Sequence, residues 1–173
     1  MTGFENVPLP MRNVPAAAPL SGEWWTPPVI IEAARKAMGS IDMDPASSAE
    51  ANKTVQASMI YTAQMDGLAR KWSGRVWCNP PFSEMTAWAM HAMDQYERGD
   101  IQALCLLGPW GASRWQPRAW STADGICLID KTLPGWHGPA AAASPKSDPW
   151  GYGLICCIFG VDPAPFNAVG VVR

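Results

Sequence analysis

Between Val29 and Met38 the apolar residues Val29, Ile30, Ala33, Ala34, Ala37 and Met38 recur at intervals of three and four, and the run stops at Gly39. That spacing predicts an amphipathic helix, with Thr26 as its cap residue and Pro27 as a favourable first helical position. Ile41 to Asp44 reads as a short strand closed by Pro45, and residues 46–59 as a loop with one or two helical turns. Arg75 to Asn79 is a further strand. After it, Met85, Trp88, Ala89, Ala92 and Tyr96 share one face of a helix that Ser83 can cap and Gly99 ends. Ile101 to Leu107 is continuously apolar, as expected of a strand buried on both faces, and Ile126 to Ile129 and Leu154 to Phe159 read the same way. Strands alternating with helices predict an α/β fold with a mainly parallel sheet flanked by helices.

The two stretches without periodicity are equally informative. Residues 1–20 carry Pro8, Pro10, Pro15 and Pro19 and read as a flexible, proline-rich arm, leaving 21–173 as a single minimal domain. Residues 134–150 form a long Pro, Gly and Ala-rich excursion, too long for an ordinary turn. With 173 residues, 48% of them hydrophobic, the chain can bury one sizeable core.

Charge and cysteine content narrow the function classes. A net charge of −2 and a pI near 5.6 provide no global attraction for phosphate, so any nucleic-acid contact has to come from a local basic rim. The window Trp110 to Trp120 is the candidate, since Arg114 and Arg118 alternate there with Trp110, Trp115 and Trp120 and no acid intervenes. Arginine can grip phosphate and tryptophan can fill the gap left by a flipped base. The same pattern also fits an amphipathic helix with its tryptophans packed inward. Lys131, Trp136, His137, Lys146 and Trp150 around the long excursion share that ambiguity, and His91 reads as a residue on a helix surface. The five cysteines all lie in predicted strands and are expected as reduced, buried thiols; with two histidines and no Cys-x-x-Cys, a metal site is not expected. No long uncharged apolar stretch or secretory leader is visible, which predicts a cytoplasmic protein without membrane attachment.

The strongest chemical signal is Asn79-Pro80-Pro81-Phe82 at the end of a strand. Two prolines remove two backbone donors and fix two φ angles, leaving a stiff, carbonyl-rich corner. The exocyclic amine of a nucleobase is a poor nucleophile because its lone pair is delocalised into the ring. The Asn79 side-chain oxygen and the Pro80 carbonyl can each accept one of its N–H groups and draw the lone pair out of conjugation, while Phe82 offers a face for the base. Asp44, at the end of another strand, can accept bonds from an ammonium group or ribose hydroxyls, with Asp42 a weaker alternative; an Asp before Pro is also an ordinary turn former.

Trp24-Trp25-Thr26-Pro27-Pro28, Ile41-Asp42-Met43-Asp44-Pro45-Ala46, Asp66-Gly67-Leu68, Trp72 and Asn79-Pro80-Pro81-Phe82 follow one another, within residues 23–160, in the order and spacing of a known family. In these elements the chain resembles the small phage-type DNA N6-adenine methyltransferases. The resemblance implies a Rossmann-like class I methyltransferase, S-adenosyl-L-methionine as cofactor and adenine in DNA as methyl acceptor. It implies catalytic roles for Asn79, Pro80, Pro81 and Phe82, and a cofactor site built from Thr26, Pro27, Asp44, Pro45 and Asp66. It also implies that the strands ending at Asp44 and Asn79 are neighbours. Arg114, Trp115 and Arg118 are the candidate DNA contacts. The stretch Asp44-Pro45-Ala46-Ser47-Ser48-Ala49 contains no Gly-x-Gly, so small side chains must stand in for a glycine loop. The corner alone would also suit an adenine in RNA or a protein glutamine amide, and a catalytically inactive binding module would retain the same fold.

Overall fold

The computed structural model describes residues 25–111, 113–130, 133 and 153–173. The arm at 1–20, the excursion at 134–150, Trp24 and Lys131 lie outside the described residues. Helix α1 (Pro28–Met38) begins with proline inside its first turn and ends at Gly39, whose φ of +82° suits glycine and whose N–H reaches the Arg35 carbonyl at 2.7 Å. Its cap is Pro27 rather than Thr26, and no side chain caps it. Ile30, Ala33, Ala34 and Met38 are buried as the spacing predicts, whereas Val29 is exposed and Ile31, outside the predicted face, is buried in its place; the two isoleucines contribute about 1.5–3 kcal/mol each in transfer from water.

Strand β1 (Met43–Asp44) is followed by a single helical turn, α2 (Asn52–Val55), and by β2 (Met59–Ile60). Strand β3 (Arg75–Cys78) leads through a 3₁₀ turn over Phe82–Glu84 into α3 (Met85–Glu97). Ser83 therefore lies inside that turn and does not cap the helix. Strand β4 (Ala103–Pro109), α4 (Gln116–Thr122), β5 (Gly125–Ile129), β6 (Leu154–Phe159) and β7 (Gly170–Val172) complete the order. No helix among the described residues is long and apolar enough to cross a membrane.

The seven strands form one sheet in the order β2-β1-β3-β4-β6-β5-β7. β2, β1, β3 and β4 pair in parallel, whereas β4 with β6, β6 with β5 and β5 with β7 pair antiparallel. The sheet is thus mixed, not mainly parallel. The expectation failed because an apolar run buried on both faces carries no direction: β6 is as continuously buried as β4, yet it returns between β4 and β5. Strand β5 differs from the expected double burial as well, since Leu128 is 44% exposed and its burial alternates.

Two apolar clusters cover the two faces of the sheet. Trp77, Cys105, Leu107, Cys156 and Ile158 face α1 and Phe166. Val76, Cys78, Leu104, Leu106, Ile155 and Cys157 face α3 and α4. Successive residues of one strand alternate between the clusters, as the pleat requires. Trp115, expected as a DNA contact, is fully buried in the second cluster and cannot stack on a base from there; its ring fills space beside Gly108. At the amino end of β1 and β3, Asp42 accepts both Nε–H and Nη2–H of Arg75 at 2.8 and 2.9 Å. That guanidinium, aided by the Arg75 backbone N–H, holds the Asp42 carboxyl near pKa 2 against the opposing effect of burial. Asp42 is therefore tied into a clamp between strands at the edge opposite the carboxyl ends of β1 and β3.

Candidate functional site

A cavity of about 620 Å³ opens at the carboxyl ends of β1 and β3, the edge at which open α/β sheets bind ligands. β1 and β3 are adjacent and parallel, with Met43 opposite Val76, so the elements carrying Asp44 and Asn79 leave the sheet side by side. The lining comes mainly from Trp25 and Thr26 before α1, the Asp44–Ser48 turn, the segment around Asp66–Leu68 and the Asn79–Glu84 corner after β3, with Val55 of α2, Trp77 of β3 and Trp88 of α3 closing it. Of the residues expected at the site, Thr26, Asp44, Pro45, Asp66, Asn79, Pro80, Pro81 and Phe82 line this one cavity. Pro27 is buried behind it and accepts the Ile30 N–H at 3.0 Å as the helix begins.

Each segment is held by a specific contact. The Asn79 amide donates from Nδ2 to Thr26 Oγ1 at 3.1 Å, which fixes the plane of the amide and ties the start of α1 to the proline corner. Phe82 is half-buried and packs against both apolar clusters. Pro80 is buried and Pro81 exposed. Asp66 has a φ of +53°, a left-handed conformation that Asp tolerates better than most residues. The carbonyl of the adjoining Gly67 accepts the indole N–H of fully buried Trp72 at 2.8 Å. A Cβ on Gly67 would stand 2.0 Å from the Pro45 carbonyl oxygen and 2.9 Å from the Trp88 ring. Glycine is required because the two turns of the cavity wall touch backbone to backbone at this point.

Asp44 is 3% exposed. Burial pushes its carboxyl up to about 7, an effect the Ser47 hydroxyl and the Ala46 N–H only partly offset; the Ala46 N–H donates to Asp44 Oδ1 at 3.2 Å. The buried thiol of Cys78 beside it is pushed well above its ordinary value, first by burial and then by the Asp44 charge. The lining holds three carboxylates, Asp44, Asp66 and Glu84, and no Lys, Arg or His among the described residues. Such a lining favours a cationic guest and opposes a polyphosphate. Ala46, Ser47 and Ser48, the small residues that stand where a Gly-x-Gly is lacking, line the cavity.

The expected basic rim is only partly present. Arg114 is exposed. Arg118 is not available in the same way: its Nη2 lies 2.7 Å from both Asp94 and Glu97 of α3, acids distant in sequence from the 110–120 window. Lining residues that sequence reasoning missed include Glu84 and Trp88. Glu84 lies two positions beyond the proline corner and could have been found by that proximity, whereas Trp88 resembled any other residue of an apolar helix face.

Comparison with known proteins bears on this geometry. The family profile of DNA N-6-adenine-methyltransferase (Dam) matches residues 16–138, more than half of the chain. The chain is 30% identical over 112 residues to the DNA N-6-adenine-methyltransferase of Escherichia phage T1, an alignment spanning 64% of this chain and 45% of that protein. The chain therefore spans less than half the length of this relative. No solved structure matches it significantly.

Proposed function

The chain belongs to the DNA N-6-adenine-methyltransferase (Dam) family, and on that premise we propose that it transfers a methyl group from S-adenosyl-L-methionine to the N6 amine of adenine in DNA. The observation that carries the reading is the Asn79-Pro80-Pro81-Phe82 corner facing a cavity with three carboxylates and no described basic side chain. The fold is read with it as a Rossmann-like class I methyltransferase, supported by the parallel strands β1, β3 and β4 and a cavity at their carboxyl edge.

The donor set fits the cofactor. A sulfonium and an ammonium group suit an anionic lining, and the 620 Å³ cavity is within the usual range for small-molecule sites. When bound, S-adenosyl-L-methionine supplies a methyl group already activated by the sulfonium charge. Asp44, Asp66, Pro45 and Thr26 would hold it, Asp44 as the buried carboxylate. Asn79 Oδ1 and the Pro80 carbonyl accept the two N–H groups of the acceptor amine and turn its lone pair toward the cofactor side. Thr26 keeps the Asn79 amide in the required sense by accepting from its Nδ2. Phe82 sets the plane of the base by stacking, and Pro81 stiffens the corner. Catalysis on this reading is positioning and electrostatics, with no covalent enzyme intermediate, and the proton that the N6 amine gives up passes to solvent after transfer.

The test is incorporation of labelled methyl groups from S-adenosyl-L-methionine into unmethylated DNA, followed by digestion to identify the modified base. The wild type is expected to yield N6-methyladenine, and Asn79→Ala to lower the rate by about a hundredfold or more while still binding the cofactor. Cofactor binding without methyl transfer to DNA would redirect the reading to RNA adenine or a protein glutamine amide. No cofactor binding at all would leave a binding module with this fold.

A further inference from the structure

Trp110 and Trp120 play no part in the cavity, yet they are 44% and 53% exposed in a fold that buries Trp72, Trp77 and Trp115 to within 1%. Their ring centroids lie 5.3 Å apart at an interplanar angle of 53°. Two adjacent indoles left in solvent form an apolar patch of the kind that marks an interaction surface. We propose that Trp110 and Trp120, with Arg114, form the surface on which DNA bases stack when the target adenine leaves the duplex. The proposal rests on the DNA reading above and adds the place where the substrate is gripped.

Position is the first argument. β4 runs parallel to β3 with Cys78 opposite Leu106, so both strands leave the sheet at the same edge. Trp110 directly follows β4 there, as the proline corner follows β3. Rigidity is the second. The Trp110 N–H donates to the Gly153 carbonyl at 2.7 Å, and buried Gln116 donates from Nε2 to the Pro109 carbonyl at 2.7 Å. The backbone at Trp110 is thus anchored, and the first residue of α4, the helix that carries Trp120, is tied to it. Tilt is the third: rings inclined at 53° make an open V, whose exposed faces can receive a base, rather than a closed stack.

Charge decides the kind of partner. Arg118 is held by Asp94 and Glu97, whereas Arg114 makes no ion pair among the described residues. Residues 109–122 contain no acid. An aromatic pair beside one uncommitted arginine is the combination that binds unstacked bases and their phosphate without reading sequence.

The experiment measures binding of two fluorescein-labelled duplexes, one fully paired and one carrying a single unpaired adenine, by wild type, Trp120→Ala, Trp110→Phe and Arg114→Ala. Cofactor affinity is followed in parallel by calorimetry. Wild type is expected to prefer the duplex with the unpaired adenine. Trp120→Ala should bind that duplex about tenfold more weakly and lose the preference, with Trp110→Phe intermediate. Arg114→Ala should weaken both duplexes alike and reduce the salt dependence by about one released counterion. Cofactor affinity should be unchanged in all of them. A wild type that methylates DNA while Trp120→Ala and Trp110→Phe keep full affinity and preference overturns the proposal and leaves the DNA reading intact. Loss of self-association on Trp120→Ala with unaltered DNA binding overturns it in favour of a contact between copies of the chain. A wild type that binds cofactor but neither duplex overturns both readings.

Discussion

A single carboxyl group, Asp44, carries much of the chemistry of the proposed cofactor pocket and also a cost in stability. Its pKa rises from 3.8 to about 7 on folding because burial disfavours the charge. The folded protein therefore takes up a proton that the unfolded chain releases, and stability falls as pH climbs from about 4 to about 7, then levels off. The shift corresponds to roughly 4 kcal/mol. Asp44→Asn should consequently raise the unfolding temperature of the cofactor-free protein at pH 8 and leave it nearly unchanged at pH 5, where the wild-type carboxyl is already neutral. Binding of a cationic cofactor reverses the balance, since it favours the ionised carboxylate. Wild-type affinity for S-adenosyl-L-methionine should thus strengthen as pH rises from 5.5 to 7.5, and Asp44→Asn should bind weakly with a flat profile over that range. Calorimetry and thermal unfolding at the two pH values decide it; an unstable Asp44→Asn variant at pH 8 would refute the assignment of strain to this charge. An acid before proline at a strand end was legible in the sequence as a candidate ligand. Its burial was not, because burial depends on Ala46, Ser47 and the neighbouring strand closing over it.

At the scale of elements, the cavity is an agreement between turns that are far apart in the chain. The Asp44–Ser48 turn and the Asp66–Leu68 segment meet where Gly67 lies against the Pro45 carbonyl, and Trp72 ties that segment from below through the Gly67 carbonyl. Gly67→Ala would place a Cβ 2.0 Å from a backbone oxygen, and only separation of the two turns can relieve the clash. Affinity for the cofactor should drop by at least about tenfold, equivalent to 1.4 kcal/mol, and the fold should lose stability. Trp72→Phe tests the same segment without a backbone clash. It keeps an aromatic ring in the core but removes the N–H, so a severalfold loss of cofactor affinity should accompany a stability loss of about 1 kcal/mol from the hydrogen bond plus a packing loss of at least similar size from the space the indole leaves. Unaltered affinity in both variants would show that the 66–68 segment does not contact the cofactor. The sequence made several local pieces visible: α1 from its apolar period, the proline corner from its composition, and β1 from the proline that closes it, whereas the short edge strands β2 and β7 carry too few residues to show a pattern. It did not reveal that Thr26 serves Asn79 instead of capping α1, since a hydroxyl before proline reads identically in either role.

The sheet order β2-β1-β3-β4-β6-β5-β7 is a property of the whole molecule, and its antiparallel half was the part least accessible to sequence reading. A parallel strand buried on both faces and an antiparallel strand buried on both faces have the same composition, so β4 and β6 look alike in sequence although they run in opposite directions. What unites them is packing. Cys78, Cys105, Cys127, Cys156 and Cys157 are all free and buried, and they lie on four strands that are consecutive in the sheet, β3, β4, β6 and β5. Burial pushes the Cys127 thiol to about 11 and the Cys157 thiol to about 12, so at pH 8 neither offers an appreciable thiolate. Because alternate residues of the same strands feed the apolar clusters on both faces, neither cluster can open without disturbing the other. Unfolding should therefore be a single cooperative transition. A disulfide reagent at pH 8 is expected to modify less than one thiol per native chain over the time in which it modifies all five in urea. The urea dependence of modification, under conditions of fast opening, should follow the circular dichroism transition. Modification of Cys127 well before Cys78 would show instead that the antiparallel half of the sheet opens separately from the parallel half that carries the proposed active site.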